Sequence, residues 1–331
     1  MFNTFKRLKT LGFILIIIIF AIVLLIATLS RRSQKNIKPN LNPPAIPKPY
    51  TETLPIQEIQ ESFDLPSQLP LIEIRFIPIS RDYVNKVKDN LGMESEVKTT
   101  NDYNDGLKYY ATSETQSLWI TPKTGQVNFY SVTQTVSTEV LSESVYNDLA
   151  ERFLSEKLDI KSKVFIPSEI KYLKINPGDS DSGYISGSKD DFNFVEVDFG
   201  FSEPKYLPYL YTPIVPASFV ILSKNGEVSK ADVTAINSIN IIDNVDLKNM
   251  EEIKETLSDA SLIGVDGVYM SVSDINPNDL KNISITKIQV VYLIDENITP
   301  VLQPVYLLEG NIELTGTDAK KALMYLPAVK Y

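Results

Sequence analysis

Hydrophobic and polar positions divide the chain into three parts of different rhythm. Residues 11–29 (LGFILIIIIFAIVLLIATL) are 19 apolar or small residues without a charge. At about 1.5 Å per residue a helix of that length measures roughly 28 Å, the hydrocarbon thickness of a bilayer. The next 40 residues show no apolar period and are punctuated by Pro39, Pro43, Pro44, Pro47, Pro49, Pro55, Pro66 and Pro70. Proline fixes φ and cannot donate to a ladder, so this stretch predicts extended, polyproline-like chain. From residue 71 onwards, apolar residues recur at spacings of two and of three to four, the periods of strands and helices.

Three modules are read from that last part, each a helix followed by strands. In 71–137 a strand at 71–78 precedes a helix at 81–91, with Ser80 as N-cap, Gly92 as stop and Val84, Val87 and Leu91 on one face. Strands are expected at 107–113, 116–121 and 126–133, the last two joined by the turn Pro122-Lys123-Thr124-Gly125. In 138–243 a helix at 144–158 is followed by strands at 170–175, 192–201, 216–223 and 227–236. The last pair closes through Lys224-Asn225-Gly226, the strongest short hairpin signal in the chain. In 244–331 a helix at 250–257 precedes strands at 262–272, 283–294, 302–314 and 322–329. Helices laid on one face of antiparallel sheets give an α+β class. The order of elements recurs, but no sequence repeat accompanies it.

The flanks of the apolar run bear on what it does. It is longer than a usual signal-peptide core and ends Ile26-Ala27-Thr28-Leu29-Ser30 without a small-x-small cleavage pattern, so it is read as a retained transmembrane helix. Basic residues stand on both sides, Lys6, Arg7 and Lys9 before it and Arg31, Arg32, Lys35 and Lys38 after it, so the positive-inside rule does not choose between the two orientations. A tail of residues 1–10 is a poor object to export ahead of a body of about 260 residues. The expected arrangement is therefore a cytoplasmic tail at 1–10, a single-pass anchor in the cell membrane at 11–29, a linker at 30–70 and an extracytoplasmic body. Within the linker, 54–63 is expected as a short amphipathic turn docked on that body. The linker reads equally as a stalk or as a passive tether.

Composition then narrows the partners. The first 50 residues hold eight Lys or Arg and no acid, leaving 24 basic against 42 acidic residues in 51–331, a net charge of −18. Such a body is repelled by nucleic acid and by anionic lipid. The expected contact with the bilayer is through residues 11–29 alone. With no cysteine, lipoprotein attachment is excluded.

The third module carries a family resemblance. Its helix NMEEIKETL is followed by a strand ending Val290-Val291-Tyr292-Leu293, by Leu302-Gln303-Pro304-Val305-Tyr306-Leu307-Leu308-Glu309-Gly310, and by Tyr325-Leu326-Pro327-Ala328-Val329. This resembles the C-terminal part of YycI/YycH-type regulatory proteins, whose domains are related to the PepSY group. The likeness covers residues 245–331, and over 71–240 it is one of element order only. It implies tandem PepSY-like modules behind one N-terminal anchor, and an anchor helix that contacts a membrane sensor kinase of a two-component system. It transfers no role to an individual residue of the body.

Candidate chemistry is sparse. Without His or Cys, Ser-His-Asp and Cys-His catalysis, His-based zinc sites and thiolate chemistry are all absent. No enzyme activity, cofactor or metal is expected. The loop 177–191 (PGDSDSGYISGSKDD) offers Asp179, Asp181, Asp190 and Asp191 as hard oxygen donors. Its spacing departs from a calcium loop, since Gly183 and Tyr184 stand where an Asx and the turn glycine belong, so it is read as a solvated hairpin tip. Tyr206, Tyr209 and Tyr211, in a segment too proline-rich for a central strand, form the candidate aromatic binding loop. Trp119 is expected in the core. The leading expectation is a regulatory protein that modulates a membrane partner. The runner-up is an envelope binding module that recognises peptide or glycan and is merely retained by its helix. An enzyme with a carboxylate or Ser–Lys site stands third.

Overall fold

A computed structural model describes residues 54–59, 63–102, 106–132, 140–160, 163–175, 184–203, 205–206, 208–210, 216–265, 272, 275–294, 301–316 and 318–330. The predicted tail and transmembrane helix, 1–29, lie outside these residues, as does most of the linker. Among the described residues no helix is long and apolar enough to cross a membrane.

The body is mostly β-structure with few helices. Strand β1 (Ile56–Ile59) and strand β2 (Gln68–Phe76) lead into helix α1 (Arg81–Asn90). Ser80 caps α1 as its sequence requires: its hydroxyl accepts from the backbone N–H of Tyr83 at 3.2 Å, and Tyr83, Val84 and Val87 form the buried stripe. A meander follows, β3 (Lys98–Asp102), β4 (Gly106–Thr112), β5 (Gln116–Thr121) and β6 (Gln126–Ser131). Helix α2 (Glu143–Arg152) continues into a π-helical turn at Phe153–Lys157. Then come β7 (Phe165–Ile175), β8 (Tyr184–Ser186), β9 (Phe194–Phe201), β10 (Pro208–Leu210), β11 (Ser218–Ser223), β12 (Val228–Thr234) and β13 (Ile236–Asp246). Helix α3 (Met250–Glu255) is closed by a capping box between Asn249 and Glu252. The chain ends with β14 (Ser261–Val265), β15 (Leu280–Ile294), β16 (Val301–Leu302), β17 (Pro304–Leu314) and β18 (Lys320–Pro327).

These strands build three sheets. The largest has nine antiparallel strands in the order β3-β4-β5-β6-β12-β11-β9-β7-β8. Strands expected of the first two modules, 71–137 and 138–243, thus meet in one sheet through the β6–β12 pairing, with Phe129 opposite Ala231. They also share one core. Val84 and Val87 of α1 and Tyr146 and Ala150 of α2 pack with Leu118, Val127, Val197, Val220 and Ala231 on a single sheet face. Gly226 completes the predicted Asn-Gly turn at φ +84°, and α2 lies close over it. The positive φ is what requires glycine; a Cβ there would come 2.5 Å from Leu149 Cδ1 and displace the end of that side chain.

The second sheet has the order β1-β15-β17-β18-β14, with β10 also on β15. The third joins β13, β2 and β16. The sequence predicts a strand at 227–236 and assigns no element between it and the helix at 250, whereas the chain continues into β13, 11 residues long. This strand pairs with β2 along its length, from Ile236 opposite Phe76 to Asp246 opposite Gln68.

The described part of the proline-rich segment differs from the expected linker. In place of an amphipathic turn, residues 56–59 add a parallel strand to β15, with Ile56 opposite Ile283 and Ile59 opposite Ile285. Leu54 is 5% exposed, and Phe63 and Leu65 pack on the same core as Ile283, Ile285 and Leu308. The prolines' extended preference is compatible with a strand, and burial of these apolar side chains fixes the segment on the body.

Candidate functional site

Tyr206, Tyr209 and Tyr211 come to different fates. Tyr206 stands at the seam of the two main cores, edge-on to Tyr292 with ring centroids 6.1 Å apart. Its carbonyl accepts from the N–H of Phe201 at 3.1 Å. Tyr209 lies in β10, which runs parallel to β15 with Tyr209 opposite Leu293. This is an edge position, as the prolines of the segment demand. Tyr211 lies outside the described residues. Tyr292 is itself fixed by its hydroxyl, which donates to the carbonyl of Pro70 at 2.6 Å.

Tyr206 also lines a shallow groove of about 380 Å³, together with Asp64–Pro66, Ser168, Lys205 and the β15 residues Ile288–Val291. A second groove, of about 460 Å³, shares Asp64–Pro66 as lining and is bounded by Asp246–Met250 and Lys330. Burial lowers the Lys248 ammonium below the usual lysine range, against the pull of Asp259 and Glu252. Lys330 is held by Glu252 at 2.8 Å.

A third arrangement sits on the face of the nine-stranded sheet turned away from the helices. Strand registers place Tyr110 opposite Trp119, Trp119 opposite Asn128 and Asn128 opposite Asp232, a straight row across four strands. The neighbouring row runs Ser117, Tyr130, Lys230. Tyr110 and Trp119 stack at 4.9 Å with planes 16° apart. Trp119 is 41% exposed and Tyr130 39%, so the expectation of a core Trp119 is overturned. The signal is present in the sequence: Leu118 and Ile120 are both fully buried, and period-two alternation then sends Trp119 to the opposite face.

Further along the same face lies a buried ionic cluster. Lys171 Nζ is 2.5 Å from Oδ2 of Asp198 and 3.0 Å from Oε1 of Glu196. Burial pushes the Asp198 carboxyl up to about 7, the charge of Glu196 adding to it and Lys171 opposing. Burial alone would lower Lys171, but the two carboxylates outweigh it and hold the ammonium above its ordinary range. A lysine held protonated in this way cannot serve as a general base near neutral pH.

Of the acidic loop 177–191, Asp179 and Asp181 lie outside the described residues. Asp190 is exposed, and Asp191 pairs with Lys174. Among the described residues no group of three or more acidic side chains is placed to hold a metal ion.

No protein-family model matches the sequence, and no curated protein matches it. Among solved structures, the chain is similar to an uncharacterized protein from Eubacterium rectale known from a crystal structure. The TM-score is 0.44 and the identity 12%, over 85% of this chain and 90% of that one.

Proposed function

We propose that this is a single-pass, membrane-anchored extracytoplasmic protein that regulates a membrane partner, of the sensor-kinase class, and is not an enzyme. The observation that carries this reading is the uncharged run 11–29 ahead of a body with a net charge of −18. Such a body adds nothing to bilayer binding, so the apolar run is its means of reaching a membrane. The resemblance of 245–331 to YycI/YycH-type proteins supports the regulatory role. It is tested by crosslinking the full-length protein in its native membranes and identifying the captured species by mass spectrometry. Capture of a membrane kinase through residues 11–29, lost when that run is replaced by an unrelated apolar helix, is the expected result. Capture confined to the body, or a regulatory effect that survives the replacement, defeats the proposal.

Exposed Trp119, stacked on the half-buried Tyr110, favours a second reading, a binding body held at the membrane by a passive tether. Tyr and Trp supply large contact area at low entropic cost.

A further inference from the structure

We infer that the row Tyr110–Trp119–Asn128–Asp232, with Tyr130 beside it, is a platform for a neutral oligosaccharide; this inference rests on the second reading above. Three observations carry it. The first is position. The helices and the main core occupy the opposite face of the nine-stranded sheet, so the aromatic residues here add little to that core. The second is composition. Exposed Trp119 and Tyr130 alternate with an amide (Asn128), a hydroxyl (Ser117) and an ammonium (Lys230) at registers one strand spacing apart, about 4.8 Å, while the Asp232 carboxylate that ends the row is buried. A sugar chain presents the same alternation, apolar C–H faces suited to aromatic rings and hydroxyls that both donate and accept.

The third observation is charge. Lys230 and Asp232 stand on one strand and offset each other, so the row is close to neutral within a body of net charge −18. A polyanion such as nucleic acid or an anionic lipid surface is repelled by that body, and the next acidic side chains on this face, Asp198 two strands beyond Asp232 and Glu196 two strands beyond Lys230, are already held by Lys171. A neutral polyol meets neither penalty. The Tyr110–Trp119 stack also fixes both rings before binding, so little rotamer entropy remains to be lost on contact.

Trp119 is the chain's one tryptophan, so intrinsic fluorescence reports this row directly. The experiment titrates the full-length protein in detergent with chitotetraose, cellotetraose and maltotetraose, following Trp119 emission. The expected result is a saturable change with at least one tetramer, weakened at least tenfold in Tyr130→Ala while the unfolding midpoint stays unchanged. Binding by the Trp119→Ala variant, followed by calorimetry, is expected to fall by the same order. No saturable response to any tetramer overturns the inference, as does a response that survives these substitutions. A response to anionic vesicles or to an acidic peptide in place of the sugars also overturns it. If the body crosslinks to an envelope peptide while the tetramers stay silent, the binding-body reading stands and the glycan assignment alone falls.

Discussion

Lys171 reaches across from β7 so that its Nζ lies 2.5 Å from Oδ2 of Asp198, a carboxylate with no solvent exposure. Glu196, directly opposite Lys171 in the strand register, shares the same ammonium. One cation therefore compensates two carboxylates on a sheet face. Removing one partner of a buried ion pair leaves an uncompensated charge, at a cost of roughly 3–5 kcal/mol where burial is complete. Lys171 is 36% exposed, so solvent softens the loss, and Lys171→Met is expected to cost about 2 kcal/mol. The double variant Lys171→Met, Asp198→Leu is expected to recover most of it. Urea unfolding of the three proteins checks this, and a double variant as unstable as the single one contradicts it.

The same carboxylate predicts a pH dependence. Burial, with Glu196, raises Asp198 to about 7 in the folded state, while an unfolded aspartate titrates near 3.8. Between those values the folded state holds a proton that the unfolded state has released, so stability is greatest below about pH 4 and falls as pH rises towards 7. Asp232, raised by burial to about 6 against the pull of Lys230 and Asn128, acts in the same direction over a narrower window. Glu143 and Glu252, lowered by hydrogen bonds from Lys189 and Lys330 respectively, act oppositely but only at more acid pH. Asp198→Asn is therefore expected to flatten the fall between pH 5 and pH 8 by on the order of 1–3 kcal/mol. Denaturant midpoints at the two pH values measure it, and identical slopes in both proteins rule it out.

Gly310 predicts a steric limit where β17 faces Ser284 and Ile285 of β15. A Cβ at this position would sit 2.3 Å from the carbonyl oxygen of Ser284, which is backbone and cannot swing aside. Gly310→Ala is expected to destabilise by about 1–3 kcal/mol through forced separation of the pair. Gly92→Ala, which meets nothing within 4 Å, serves as a control in which only backbone conformation changes. Thermal unfolding of the two variants separates the effects.

The packing of Leu54, Phe63 and Leu65 predicts where the folded body begins. A fragment starting at residue 71 lacks β1 and the first residues of β2 and uncovers Ile283 and Ile285. A fragment starting at 54 retains them. The longer fragment is expected to unfold cooperatively and stay monodisperse, and the shorter to aggregate, since it bares a strand edge and an apolar core together. Size-exclusion chromatography of both distinguishes this from a body that is complete at 71.

The neighbours Leu118 and Trp119 predict opposite sensitivities. Leu118 is fully buried, so Leu118→Ala is expected to cost about 2–5 kcal/mol. Trp119→Ser, on the exposed face, is expected to cost less than about 1 kcal/mol. Equal losses in calorimetric stability would return Trp119 to a core role.

Local chemistry is legible in the amino-acid order itself. Ser80 and Gly92 bound α1 because a cap and a stop act within one turn, and the Lys224–Gly226 turn closes its hairpin because Gly226 takes the positive φ it needs. The strand at Gln116–Thr121 is bounded by its own alternation. The candidate site is legible only in part: Tyr206 reaches a groove, but nothing in the sequence places Asp64–Pro66 and Ile288–Val291 beside it.

What only the tertiary structure decided are the long-range pairings: β6 against β12, β13 against β2, and the parallel addition of β1 and β10 to β15. Edge strands of three or four residues carry too little periodicity to be distinguished from loop, and their stability comes from the partner edge and the core beneath it. Asp198 gives the same lesson for charge. An aspartate in an alternating strand is expected to face water, and only the lysine reaching over from the neighbouring strand makes its burial tolerable.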